Sequence, residues 1–186
     1  MAMVKGTAVK ASLAFVASRA GEDRLARIIA ALPPPYEEML SGPVLQGNWY
    51  EFSTLLALMD ASAPFVTPVG SKSLAWEMGR FSADFGLKSI YKVFFRLADP
   101  GFIIHKASQV FDSYYRPGTM TVERAAPREA LLRLTGFDQP SPVFCDRLLG
   151  WMERTLELCG AKEICMEHPR CLSRGDASCD YKGRWV

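Results

Sequence analysis

The sequence predicts an α+β fold, with N-terminal helices packed on a mostly antiparallel four-stranded sheet whose C-terminal half runs β-β-α-β-β. Three observations carry this. Apolar residues recur with helical spacing through the first two-thirds of the chain, the period switches to two in the last third, and a long amphipathic stretch near 141–158 divides the strands into pairs.

Taken in order, Val9, Leu13, Val16 and Ala20 form a helical stripe that Gly21 stops. Leu25, Ile28, Ile29 and Leu32 form a second stripe, ended by Pro33-Pro34-Pro35. Pro34 or Pro35 suits the first turn of a short helix through Leu40. A loop through Gly42 and Gly47 leads to a helix near Tyr50–Ser62, with Phe52, Leu55, Leu56 and Met59 on one face. Further helices are predicted for Ser71–Phe85, Leu87–Ala98 and Pro100–Tyr115. Met120 and Val122, then Leu131–Leu134, suggest two strands turning near Pro127. The helix at Ser141–Leu158 carries Cys145, Leu148, Leu149, Met152, Leu156 and Cys159, with Gly160 at its end. Ile164, Met166 and His168 share one face of the next strand. In the last strand Cys179, Tyr181, Gly183 and Trp185 alternate with Ser178, Asp180, Lys182 and Arg184.

At 186 residues the chain is read as a single domain over 1–186, mainly helical over 1–116 and sheet-containing over 117–186. The net charge of +2, with both signs interleaved, leaves no basic footprint for nucleic acid. No apolar run approaches the roughly 18 residues of a membrane span. Lys5 and Lys10 followed by Ala11–Ala17 mimic a secretion signal, but Arg19 interrupts the cleavage region, so a helix of a cytoplasmic protein is expected. The five cysteines are an odd number without a disulfide framework. In a reducing compartment they are free thiols, metal ligands or core filler.

No Gly-x-Ser-x-Gly, Walker loop, Gly-x-Gly-x-x-Gly or His-Glu-x-x-His occurs, and the only histidines are His105 and His168. The chain is therefore expected not to be an enzyme. One cluster carries chemistry. His168 and Cys179 have inward parity on strands that Gly175 and Asp176 let fold back, Cys171 begins their connection, and Cys145 lies on the stripe of the facing helix. Together they make a Cys3His set of the type that closed structural zinc sites use. Free cysteine is among the most buried residue types, so from spacing alone Cys145 and Cys159 read more readily as small core hydrophobes, and His168 equally as a satisfied strand-end histidine.

The block from Cys145 to Trp185 resembles the 4-vinyl-reductase-type domain, a small-molecule-binding module of aromatic-sensing activators and bacteriochlorophyll synthesis proteins. In the sensors a structural zinc is held by a helix cysteine, an acidic residue three before the next cysteine, and a cysteine eight further on. Cys145, Cys171 and Cys179 match that spacing, with His168 in the place of the acidic ligand. The resemblance thus implies a structural zinc at Cys145, His168, Cys171 and Cys179. Val4-Lys5-Gly6, Gly21 and Trp49-Tyr50-x-Phe52 resemble haem-nitric-oxide-binding-like proteins of the same superfamily. The whole chain, through Gly150-Trp151-x-Glu153 and His168-x-x-Cys171, is most similar to an uncharacterised bacterial paralogue family. The superfamily also contains Golgi-tethering subunits that dimerise and contact small GTPases.

His105 stands roughly where haem-binding relatives place their axial histidine. Their Tyr-x-Ser-x-Arg propionate clamp is absent from 118–124, which counts against haem. Trp76, Phe94, Phe111, Tyr115 and Trp151 are candidate pocket residues, although aromatics at helical spacing more often form core or interface. The expected function is a non-enzymatic sensor or adaptor domain, binding a small apolar ligand, a protein partner, or both. Without an attached output domain, homodimerisation or docking to a signalling or small-GTPase-type protein is expected. A haem-based gas sensor using His105, or a tetrapyrrole vinyl reductase, is the alternative.

Overall fold

In a computed structural model the described residues are 1–87 and 99–186. The sequence-predicted helix at Leu87–Ala98 falls almost wholly outside them. The chain opens with β1 (Met3–Lys5) and α1 (Gly6–Ala20), followed by α2 (Glu22–Ala30) and α3 (Pro34–Ser41). Gly21 joins α1 to α2 at φ 87°, a left-handed backbone setting that a Cβ would strain, and its N–H closes the last turn of α1 on the Ala17 carbonyl. After β2 (Trp49–Glu51) come α4 (Phe52–Ser62) and α5 (Leu74–Leu87). Next are α6 (Pro100–His105), α7 (Ala107–Tyr114) and β3 (Tyr115–Arg116). The C-terminal part contains β4 (Thr119–Ala126), β5 (Glu129–Thr135), α8 (Pro142–Leu158), β6 (Cys165–Arg170) and β7 (Cys179–Arg184).

Strands β4, β5, β7 and β6 form one antiparallel sheet in that order, the predicted β-β-α-β-β arrangement. Register sets Leu132 beside Tyr181 and Leu134 beside Cys179, so the inward faces of neighbouring strands agree. The pairing of β6 with β7 shifts between Glu167 and Arg170, a bulge at His168-Pro169 where proline cannot donate to the ladder. A second, three-stranded sheet of order β2-β1-β3 was not predicted. Its strands are two or three residues long, too short to display a period of two.

Two helical expectations are corrected. Trp49–Glu51 are strand because Val4 of β1 pairs with Tyr50, so the helix begins only at Phe52. The predicted Pro100–Tyr115 helix is two helices meeting at Lys106, and Tyr115 pairs with Val4 as part of β3. Asp99 caps α6 by accepting from the N–H groups of Gly101 and Phe102, at 2.7 and 3.2 Å.

Helix α5 lies directly along α8. A Cβ on Gly150 would fall 2.0 Å from the Trp76 carbonyl oxygen, and one on Gly79 2.0 Å from the Arg147 carbonyl oxygen. Only glycine lets two backbones approach this closely. The Gly150-Trp151-x-Glu153 signature therefore has a packing explanation, completed by Glu153 accepting from the Trp76 indole N–H and from Arg80. The aromatic core joins the two halves of the chain, with Phe52, Tyr115, Phe137 and Phe144 meeting edge-to-face or stacked at 4.8–6.4 Å.

Candidate functional site: a thiol–imidazole cluster beside an apolar cavity

Helix α8 enters at Ser141, whose hydroxyl accepts from the Phe144 N–H, and this sets Cys145 on its first buried turn. Cys179 opens β7 beneath it. Cys171 leaves β6 and starts a tight loop through Gly175, whose φ of 89° reverses the chain. The Cys171 N–H donates to Asp176 at 2.7 Å and the Leu172 N–H to the Cys179 sulfur at 3.3 Å, which holds the loop against the strand.

The four predicted ligands come together. One donor atom from each of Cys145, His168, Cys171 and Cys179 lies within 4.8 Å of the others. The sulfurs are 3.5 Å (Cys145–Cys171), 3.8 Å (Cys145–Cys179) and 4.0 Å (Cys171–Cys179) apart. A tetrahedral centre with metal–sulfur bonds of about 2.3 Å sets edges of about 3.8 Å. A disulfide requires about 2.05 Å, and all five cysteines are free. The three cluster cysteines are buried, whereas Cys165 is exposed and Cys159 half-buried outside the group. His168 Nε2 is buried without a hydrogen-bond partner.

Hydrogen bonding from Cys145, helped by His168, the Leu172 N–H and Cys171, overcomes burial and holds Cys179 well below the ordinary thiol range. Its bond to Cys179 and burial push Cys145 up. A thiol shifted toward ionisation among convergent soft donors favours metal binding, which requires the thiolate.

Beside the cluster lies a cavity of about 90 Å³. Helices α6 and α7 wall one side through Ile104 and Phe111, α8 another through Trp151, and the sheet forms the floor with Met120, Met166 and Tyr181. Of the candidate pocket residues, Phe111, Tyr115 and Trp151 line it. Trp76 is not among the lining residues: its indole N–H donates to Glu153 on α8, and Arg80 packs on its ring at 4.8 Å. Phe94 lies outside the described residues. Sequence reasoning missed Arg147, 2% exposed and part of the lining. Its signal was an arginine three residues from Phe144 and four from Trp151, on the apolar arc of α8.

His105 ends α6 and is exposed, one residue beyond Ile104 in the cavity wall, and is not among the described lining residues. In the described conformation His105 therefore stands outside the cavity, and it would hold a haem iron there only with the end of α6 turned inward.

Chains of the H-NOX class share this architecture. An Fe(II) unliganded H-NOX protein from K. algicida aligns with TM-score 0.71 and 18% identity over 98% of this chain and 96% of its own. An Fe(II)NO H-NOX protein from S. oneidensis gives 0.74 and 15% over 98% and 99%, and the Fe(II)CO solution structure of an H-NOX domain from Shewanella oneidensis 0.70 and 15% over 98% of each. No protein-family profile matches the sequence, nor does any curated protein. The fold is thus the haem-NO-binding fold, whereas nothing supports the 4-vinyl-reductase-type label itself.

The cofactor expectation is corrected by this likeness. Haem was set aside for want of a propionate clamp, yet the fold found is one whose solved members are described in Fe(II) ligation states. The physical reason is that a linear motif samples one strand, while the cavity and its buried cation are assembled from distant segments. Zinc as the cofactor likewise finds no support in these relatives. No helix among the described residues is long and apolar enough to cross a membrane.

Proposed function

We propose that this protein is a sensor domain that takes a small ligand into the apolar cavity between α6–α7, α8 and the four-stranded sheet. The observation that carries it is the cavity, lined by mostly apolar side chains at the junction of the helical part and the sheet. H-NOX domains are sensors and not enzymes, in keeping with the missing catalytic set.

Among the readings drawn from sequence, a gas sensor is better supported than a protein adaptor, because the solved neighbours are described with NO and CO bound. For this chain a haem on His105 is the form that likeness suggests. Haem would supply an iron to which such a gas binds. The protein's part is to exclude water from the cavity and to couple its occupancy to α6. The test is the absorption spectrum of protein produced with haem supplementation. A stoichiometric Soret band lost in His105→Ala supports the haem form. Protein that stays colourless after reconstitution restricts the cavity to other ligands.

Cys145, His168, Cys171 and Cys179 are proposed to hold one tetrahedral metal ion as a closed structural centre, since four protein donors leave no open position. Its place, tying the β6–β7 loop to α8, gives it a stabilising role. The protein is further proposed to act in the cytoplasm as a homodimer or through a signalling-protein partner of small-GTPase type. Sedimentation at tens of micromolar and pull-down test this, and a monomer without partners rejects it.

A further inference from the structure

Resting on the reading of the cavity as the ligand site, we infer that its ligand is an apolar small molecule carrying one carboxylate, bound by the Arg147 guanidinium.

Arg147 is 2% exposed and lines the cavity. Its Nη2 donates to the Ser82 hydroxyl at 2.7 Å and the Ala8 carbonyl at 3.3 Å, both neutral acceptors. Its Nη1 is buried with no hydrogen-bond partner, and no ion pair reaches the side chain among the described residues. The acids on the neighbouring helices are committed elsewhere: Glu77 to Arg19, Asp84 to Arg154, Glu153 and Glu157 to Arg80. The segment 88–98, outside the described residues, contains no Asp or Glu.

A guanidinium keeps its charge in proteins, and an isolated buried charge is strongly disfavoured unless paired. The aliphatic hydroxyls at the wall are already used, Ser82 donating to the Met78 carbonyl and Thr155 to the Trp151 carbonyl, which leaves the Tyr181 hydroxyl as a neutral donor besides the guanidinium. The charged donor is therefore uncompensated and its surroundings are apolar, which selects an anion on an apolar body. A carboxylate balances one guanidinium, whereas a phosphate dianion would leave charge uncompensated in the interior. The volume of about 90 Å³ is below the roughly 150 Å³ of a closed engineered cavity that admits benzene, but the described walls leave this one partly open, so a single ring extending into the opening is the upper size.

Benzoate and its neutral analogue benzyl alcohol, titrated calorimetrically into the whole chain and into Arg147→Met and Arg147→Lys, test this. Wild-type protein should prefer benzoate by roughly tenfold or more, the range for a charge-assisted hydrogen bond. Arg147→Met should lose that preference and Arg147→Lys keep part of it. Equal binding of the two probes to wild type, or benzoate binding undiminished in Arg147→Met, overturns the inference while leaving the cavity as a ligand site. Binding of neither at millimolar concentration overturns both. Should Arg147→Met fail to fold, the wild-type discrimination alone decides.

Discussion

The imidazole of His168 lies flat on the phenol ring of Tyr181, with centroids 4.7 Å apart and planes 3° from parallel. Tyr181 is 1% exposed and also forms part of the cavity floor, so one ring touches both the thiol–imidazole cluster and the ligand space. Its hydroxyl is buried without a hydrogen bond, and burial, then the nearby Cys145 and Cys179, raise it well above the ordinary phenol range.

Tyr181→Phe should preserve the stack and change unfolding free energy by less than about 1 kcal/mol, because it removes a hydroxyl that makes no hydrogen bond. Tyr181→Ala removes the ring from both sites and should cost about 3–5 kcal/mol. Urea denaturation of the pair measures the ring separately from the hydroxyl. A large loss in Tyr181→Phe would show that the hydroxyl is paired in solution.

The proposed metal centre predicts a contrast between two cysteines six residues apart. Cys171→Ser should abolish stoichiometric metal, read by elemental analysis, and lower the melting temperature. Cys165→Ser, at an exposed position outside the cluster, should alter neither. Chelation of the wild type should reproduce the first result, since metal binding is coupled to folding. Metal-free wild-type protein with an unaltered melting temperature would reduce the four residues to core packing.

Gly150→Ala places a methyl group 2.0 Å from the Trp76 carbonyl, a backbone atom that cannot swing aside. The α5–α8 contact must open, and a loss at the upper end of overpacking effects, about 3 kcal/mol or more, is expected in thermal unfolding. Gly47→Ala, where a Cβ meets nothing within 4 Å, is the matched control and should be near neutral.

Acid should weaken the α5–α8 contact through Glu157. Burial raises this carboxyl, but hydrogen bonds from Arg80 and Arg154 outweigh burial and hold it below the usual range. A carboxyl lowered by folding stabilises above its unfolded value near 4.3 and loses that contribution as pH falls through the folded value. At about a third exposed, the effect should stay within about 1 kcal/mol. Glu157→Gln should therefore narrow the stability difference between pH 6 and pH 3, followed by urea unfolding. An identical pH profile in variant and wild type would remove Glu157 from the account.

The sequence by itself determined the parts of this protein that repeat. Period-two alternation in Cys179–Trp185 and period-3.6 stripes in α1 and α8 are written into the order of residues, because burial on one face selects that spacing. Inward parity followed from the same rule, and this is why Cys145, His168, Cys171 and Cys179 could be brought together from residue order and spacing. Tertiary structure alone decided what depends on partners distant in the chain. Val4 turns Tyr50 and Tyr115 into strand residues that carry no strand pattern of their own. Whether Trp76 reaches the cavity or Glu153 of α8 was set by the close approach of α5 and α8 at Gly79 and Gly150. The burial of Arg147 was decided in the same way: α1 and α5 close over it with neutral acceptors, and no rule of local spacing encodes which charge a distant helix will cover.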